Sequence, residues 1–425
     1  MPPLNRQDSR LSIYSRWSDS NSLLVYGPTI NLHAASKPLM RLMYYRQASD
    51  ILRKNRGSPL TTAILETYAS YFPWDYVSWS TKTAILSELV DRADSEDEAR
   101  AVVDSPVFPH IAPMLESPDP QARSCSCRLL RSLARYKSIA PAVLELEPYE
   151  QLVFLLDDKH SGVIREATAA LTRLSRWVDG AKGVVDANAL DHVLRLLESP
   201  NPDTRESASE LVGRVARHES TAPAVLKLNP SVQLVSSLGN EFPEATYALS
   251  QITRWEDGAK AVVDAKALDH VLRLLQSPNL HIRAWACVLT ANLAFHESTA
   301  PAIFKLNPSV QLVSLLGDTN YRATAALSRI ARWVDGAKSV VDAKVLDHVL
   351  PLLESPHPDG RRWACDLVKE LASHEATAPA ILQLKPIPQL ESLLQDPHPP
   401  IHDSAISALE AIRQWPDGVD SSYRL

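Results

Sequence analysis

Residues 177–218 read WVDGAKGVVDANALDHVLRLLESPNPDTRESASELVGRVARH. Asp179-Gly180-Ala181-Lys182 opens a short helix that runs through Val184 and Val185. A second helix, from about Ala189 to Glu198, places Leu190, Val193, Leu194, Leu196 and Leu197 at helical spacing. Ser199-Pro200-Asn201-Pro202 is a turn, with Pro202 where a first helical turn tolerates it and Asp203 bringing negative charge to the helix start. A longer third helix follows to about His218, with Leu211, Val212 and Val215 facing inward.

The unit is copied. ALDHVLRLL at 189–197 returns letter for letter at 267–275 and as VLDHVLPLL at 345–353. LNPSVQLVS occurs at 228–236 and again at 306–314. HESTAPA starts at His218 and His296, and HEATAPA at His374. Each third helix ends on a ring: Tyr136, Trp177, His218, Trp255, His296, Trp333, His374 and Trp415. From 177 onward Trp and His alternate. A ring returning after about 40 residues predicts a helical solenoid, and the alternation marks a doubled unit of about 78–82 residues. The turn before the third helix recurs as Ser117-Pro118-Asp119-Pro120 and Ser355-Pro356-His357-Pro358. Leu238-Gly239-Asn240 and Leu316-Gly317-Asp318 trim it, which accounts for the shorter steps from His218 to Trp255 and from His296 to Trp333.

Because a solenoid grows one layer at a time, 425 residues require no domain break. The expected organisation is an irregular segment over 1–33, a helical cap over 34–96, about eight repeats over 97–415 and a tail over 416–425. Within the cap the pattern predicts helices at Lys37–Lys54, Leu60–Tyr71 and Thr81–Asp91. The net charge of −6 advertises neither nucleic acid nor an anionic membrane. Four cysteines, three at equivalent repeat positions (Cys127, Cys287, Cys365) with Ser209 in the slot between, read as small buried helix sites in a reduced compartment. No apolar run is long enough to span a bilayer, and no secretory or lipidation signal is read. The expectation is a cytoplasmic, or nucleocytoplasmic, protein, with a monomer favoured.

Three helices per unit, an SP-type turn and an early third-helix Arg together resemble the armadillo repeat. The residues carrying the resemblance are Gly180–Ala187 with Ala189-Leu190, Leu196–Pro200 and Arg205-Glu206, with Asn292-Leu293-Ala294 supplying the family's ending once. The opening MPPLNRQ and Gly27–His33 are similar to a set of fungal armadillo-type proteins. The resemblance implies an all-α right-handed superhelix whose third helices line a concave groove for an extended peptide or a partner helix. It also implies that Arg123, Arg205, Arg283 and Arg361 hold neighbouring layers through carboxylates. Setting Ala294 on the family's final Ala puts Asn292 on the peptide-binding Asn ladder. Val288 then occupies the ladder's Trp position, and Glu210, Arg214, Asp366 and Glu370 fill such positions elsewhere. An importin-like ladder is mostly absent.

Trp285 and Trp363 lie three residues before those Trp positions on the same helical face, and are the expected groove anchors. Arg214, Asn292 and Arg329 are candidates to bond a ligand backbone. Trp255 and Trp333 are candidates to flank the groove, with the alternative that the terminal rings only cover the turn into the next repeat. His218-Glu219, His296-Glu297 and His374-Glu375 stand two layers apart, roughly 20 Å at ordinary helix spacing, whereas metal ligands converge within about 2 Å of an ion. The same distance separates His110, His192, His270 and His348. With no phosphate loop, nucleophile elbow or HExxH, no cofactor, metal or catalytic residue is expected. The reading is a non-catalytic scaffold for a protein or peptide, not for nucleic acid and without membrane insertion. The alternatives are a vacuole- or membrane-associated adaptor recruited through a partner, and a solenoid-based enzyme or nucleic-acid binder, which a converging pocket around His33, Lys37 and Tyr44 would favour.

Overall fold

The computed structural model describes residues 37–55, 59–74, 77–238, 243–316 and 321–415. Expectations placed on 1–33, on the trimmed turns at 239–242 and 317–320, on the tail, and on the side chains of His33, Lys37 and Tyr44 lie outside the described residues. Among those residues the chain is all-α, without a strand.

Helices α1 (Lys37–Asn55), α2 (Thr62–Tyr71) and α3 (Trp79–Arg92) come first. A first layer follows, with α4 (Glu96–Val103), two 3-10 turns at Phe108–His110 and Ala112–Glu116, and α5 (Pro120–Leu133). Full three-helix layers come next. They are α6 (Ala140–Glu145), α7 (Tyr149–Phe154) and α8 (Ser161–Leu174); then α9 (Val178–Asp186), α10 (Ala189–Leu197) and α11 (Pro202–Ala216). The fourth is α12 (Ala222–Leu228), α13 (Ser231–Ser237) and α14 (Pro243–Ile252); the fifth α15 (Glu256–Asp264), α16 (Leu268–Leu275) and α17 (Leu280–Phe295). The sixth is α18 (Ala300–Leu306), α19 (Ser309–Ser314) and α20 (Tyr321–Ala331). The last two are α21 (Val334–Asp342), α22 (Leu346–Leu353) and α23 (Pro358–Ala372), then α24 (Ala378–Leu384), α25 (Ile387–Leu393) and α26 (Pro399–Arg413). Each third helix packs on the third helices before and after it, as in a solenoid, and far more closely than second helices pack on one another. Helix α3 packs on α5 in the same manner, so it stands in line with the third-helix row.

Local chemistry accounts for these boundaries. The third helices α5, α11 and α17 start where Asp119, Asn201 and Asn279 accept the backbone N–H two residues on, at 3.1, 3.0 and 2.9 Å. In the first layer Pro109 and Pro113 remove backbone donors, so the segment around His110 forms 3-10 turns instead of the expected second helix. The core is the apolar stripe of each third helix, such as Leu211, Val212 and Val215, at most 2% exposed. Burying each such side chain contributes about 1.5–3 kcal/mol.

The terminal rings are the joints of the stack. Each follows one third helix and donates a hydrogen bond to the carbonyl that ends the third helix before it. Trp177 Nε1 reaches Ala134 O at 3.4 Å, Trp255 reaches Ala216 O at 2.9 Å, Trp333 reaches Ala294 O at 2.8 Å and Trp415 reaches Ala372 O at 2.7 Å. His218, His296 and His374 do the same through Nε2 to Ser175, Thr253 and Ala331, each at 2.9 Å. The Tyr136 hydroxyl donates to the carbonyls of Ala93 and Asp94. For the Trp and His rings the acceptor lies two residues before the preceding ring; for Tyr136 the Ala93 and Asp94 carbonyls lie two and one before Ser95, which takes the ring's place ahead of α4. An otherwise orphaned helix-terminal carbonyl is thereby satisfied in every layer.

The Trp/His alternation corresponds to two forms of the following helix. After Trp177, Trp255 and Trp333 the first helix begins at the next residue and is 9 residues long. Its third position is Gly180, Gly258 or Gly336, because a Cβ there would stand 2.0 to 2.3 Å from the carbonyl oxygen of Leu174, Ile252 or Ile330. After His218, His296 and His374 the helix waits for an Ala-Pro start and is 7 residues long. The same slot then holds Thr221, Thr299 or Thr377, whose hydroxyl donates to Val215, Leu293 or Leu371 O at 2.6 Å. Eleven residues after each ring from Tyr136 to His374 the backbone turns left-handed at a non-glycine residue: Glu147, Asn188, Asn229, Lys266, Asn307, Lys344 and Lys385. That single residue turns the first helix into the second.

Candidate binding face on the third helices

On the long third helices burial alternates at helical spacing, whereas the short α14 and α20 are buried almost throughout. In α11, Thr204, Ala208, Leu211 and Val215 are buried, while Glu206, Glu210, Arg214 and Arg217 line the opposite face. Stacking the helices aligns these faces into one row, and its central part is a ladder of guanidinium groups and aromatic rings. Arg214 of α11 lies over the Tyr247 ring of α14 at 5.3 Å. Tyr247 meets Trp285 of α17 edge-on, with centroids 4.8 Å apart. Arg322 of α20 covers Trp285 at 5.4 Å and its neighbour Tyr321 at 5.0 Å. About two turns onward, Arg329 sits between Phe295 of α17 at 4.2 Å and Trp363 of α23 at 5.5 Å. Arg362 lies over Trp363 at 5.3 Å. Cation–π contacts of this kind contribute about 0.5–1 kcal/mol each at exposed sites. Gly213 makes the Tyr247 seat: a Cβ on it would stand 2.7 Å from the tyrosine ring.

Trp285 and Trp363, read from sequence as anchors, are thus both half-buried rungs of this ladder, each carrying an Arg on its face. Arg329 stands between them without a hydrogen-bonding partner among the described residues. Arg214 is engaged by Glu210 at 3.0 Å as well as by Tyr247. Asn292 donates its amide to Ser250 O of α14 at 2.8 Å, so it ties two layers together. Trp255 and Trp333 lie at the edge of the row with their indole N–H groups spent on the joints described above.

The Arg123 series has two contacts. Every member donates Nη1 to the serine carbonyl of its own SP turn, at 2.7, 2.6, 2.8 and 2.8 Å for Arg123, Arg205, Arg283 and Arg361. Arg123 and Arg361 also pair with Asp158 and Asp396 of the next layer at 2.7 and 2.8 Å, in the manner the resemblance implies. Cys125, Cys127, Cys287 and Cys365 are all buried thiols, and desolvation pushes the Cys365 pKa up to about 12.

Electrostatics within the row are uneven. Burial lowers the pKa of Arg329, with the Arg332 charge adding to it and Asp366 and Glu370 opposing it. Burial likewise lowers Arg173 of α8; Glu210 opposes this, and Arg176, Arg214 and Arg135 reinforce it. Glu244 of α14 is pushed up to about 7, first by burial and then by the Glu206 and Glu210 carboxylates. Tyr247, Arg322, Phe295, Arg173, Arg176, Arg217, Arg254 and Arg332 were not singled out from sequence. The signal for several was present: Arg135, Arg176, Arg217, Arg254 and Arg332 each directly precede a terminal ring.

These observations define an all-helical stack of three-helix layers with one continuous polar and aromatic face. No family model matches the chain, and no curated protein matches it. Among solved structures, the crystal structure of an engineered protein, a Northeast Structural Genomics Consortium target, is similar at a TM-score of 0.74 and 22% identity. That match covers 89% of this chain and 98% of that one. A second engineered target of the same consortium matches at a TM-score of 0.51 and 23% identity, over 54% of this chain and 97% of that one. Similarity at this identity establishes the fold alone. No helix among the described residues is long and apolar enough to cross a membrane.

Proposed function

We propose that this protein is a non-catalytic interaction scaffold of the armadillo type. Its third-helix row is the concave wall of a right-handed superhelix, closed at one end by a cap of residues 34–96, and that wall holds an extended peptide or a partner helix in the cytoplasm. The arginine–aromatic ladder from Arg214 through Tyr247, Trp285 and Arg322, and from Phe295 through Arg329 to Trp363, carries this reading. Aromatic rings and Arg concentrate binding energy at interfaces, and here they gather on one face instead of being scattered. The closer packing of third helices than of second helices supports placing them on the inside of the curve. Selection of a random-peptide display library on the purified protein, against a Trp285→Ala, Trp363→Ala double variant with unchanged circular dichroism, tests it. The wild type enriches a peptide family that the variant loses. Equal enrichment on both proteins would sink the proposal.

A further inference from the structure

The residue just before each terminal ring, and the residue three before that, sit on the last turn of every third helix or just beyond it and face along the row. From the second layer onward these pairs are Arg173/Arg176, Arg214/Arg217, Gln251/Arg254, Asn292/Phe295 and Arg329/Arg332. Arg176, Arg217, Arg254 and Arg332 are exposed, and none pairs with a carboxylate among the described residues. One such cation per helix is what the helix dipole favours at a C-terminus. Two like charges three residues apart, in three of five layers, go beyond that and oppose each other. The half-buried guanidinium groups of Arg173 and Arg329 carry this furthest, since neither has a hydrogen-bonding partner among the described residues and each is crowded by other arginines. Around Tyr247 three cations gather against one anion, with the charges of Arg214, Arg217 and Arg254 acting on the phenol and Glu210 opposing them. A chain of net charge −6 therefore carries, over five layers, an incompletely neutralised strip with arginine in four of them, the α17 layer having Asn292 and Phe295 instead. It ends where Glu370 and Ser373 replace the pair in the next layer.

Resting on the groove reading above, we infer that the occupant of this face is an extended acidic peptide whose carboxylates dock on the strip from Arg173 to Arg332. Stacked helices repeat every 8–10 Å or so. A polyproline-type peptide brings the same side round every three residues, about 9 Å on. An acidic residue at every third position then meets an arginine in every layer but that of α17, and five layers take a peptide of about 13 residues. The strip favours carboxylates over a nucleic-acid backbone because Glu206 and Glu210 lie beside it on α11 and Asp366 and Glu370 on α23 close its end, where they face Arg329. Phe295 and Trp363, stacked on Arg329, give an apolar contact beside the strip.

The test uses the full chain and three labelled peptides of about 13 residues, with Glu, Gln or Lys at every third position between prolines, read by fluorescence anisotropy beside a single-stranded oligonucleotide. The Glu peptide is expected to bind best and to weaken as salt rises. The exposed pair Arg217→Gln, Arg254→Gln is expected to lower that affinity about tenfold, while Trp285→Ala, Trp363→Ala lowers the affinity of whichever peptide binds. Equal binding of the Glu and Gln peptides, both lost with the tryptophans, would overturn the acidic assignment and leave the groove reading standing. Peptide binding indifferent to the tryptophans would overturn both. No binding of the Glu peptide, or tighter binding of the oligonucleotide, would overturn the inference.

Discussion

Glu244 shows how much of this molecule is decided by single side chains meeting their equivalents in the next layer. Its carboxyl faces Glu206 and Glu210 from the neighbouring third helix, and burial raises its pKa to about 7, above the ordinary carboxyl value near about 4.3. The folded protein thus holds a proton that the unfolded chain has released. The stability tied to that proton is complete below the unfolded value and is lost as pH rises through about 7. Glu244→Gln keeps the shape and removes the charge. The variant is expected to melt above the wild type at about pH 8, by on the order of 2 kcal/mol, and to lose this advantage near pH ~4. Superimposable melting temperatures across that range would refute the assignment. Gly258 is a second residue-scale test. Its Cβ position lies 2.3 Å from Ile252 O and 2.8 Å from Ile252 Cγ2, and the oxygen belongs to the backbone and has little room to move. Gly258→Ala is expected to cost about 1–3 kcal/mol, seen as a lower urea midpoint. An unchanged midpoint would mean that the slot is looser than the geometry says.

Among the elements, the first helices illustrate what sequence discloses and what it conceals. The ring spacing marks the layers, and the helix pattern of 177–218 appears as α9, α10 and α11 within a residue or two of the expected ends. The two forms of first helix were not foreseen, although Gly180 and Thr221 are as periodic as the rings. Their meaning depends on a carbonyl six residues earlier in the chain, a contact no hydropathy pattern displays. The left-handed turn was equally hidden. Asn188, Asn229 and Asn307 suit such a conformation, but Glu147, Lys266, Lys344 and Lys385 give no such sign. Lys266→Gly and Lys344→Gly are therefore expected to stabilise the protein, each by about 0.5–1 kcal/mol, with the pair nearly additive because the layers are well separated. Chemical denaturation of the single and double variants measures this, and a loss of stability would count against the strain argument. For the candidate site, Trp285 and Trp363 were legible as periodic departures from the family pattern. The flanking arginines escaped notice because a basic residue ending a helix ordinarily reads as dipole compensation. Asn292 also donates its amide to the neighbouring layer, a contact that no sequence pattern displays.

For the whole molecule, a stack held by nearest-neighbour contacts has modular stability. Excising one doubled unit, from His218 through Phe295, joins Arg217 directly to His296, and so restores the Arg-His-Glu junction of the intact chain. The incoming ring is expected to find Ser175 O as His218 does, and the shortened protein is expected to fold with the same helicity per residue and lower total stability. Circular dichroism and thermal melting distinguish this from a molten or aggregated product. The regular ring-to-carbonyl joint has a mechanical consequence as well. Pulled from its two ends, the stack resembles a row of identical fasteners loaded in series. Each opened joint frees one layer to peel away. Because indole-joined and imidazole-joined layers differ in their first helices, release in pairs would lengthen the tether by about 27 nm for each doubled unit. The chain would then behave as a spring with a built-in limit on the force it passes to whatever it holds.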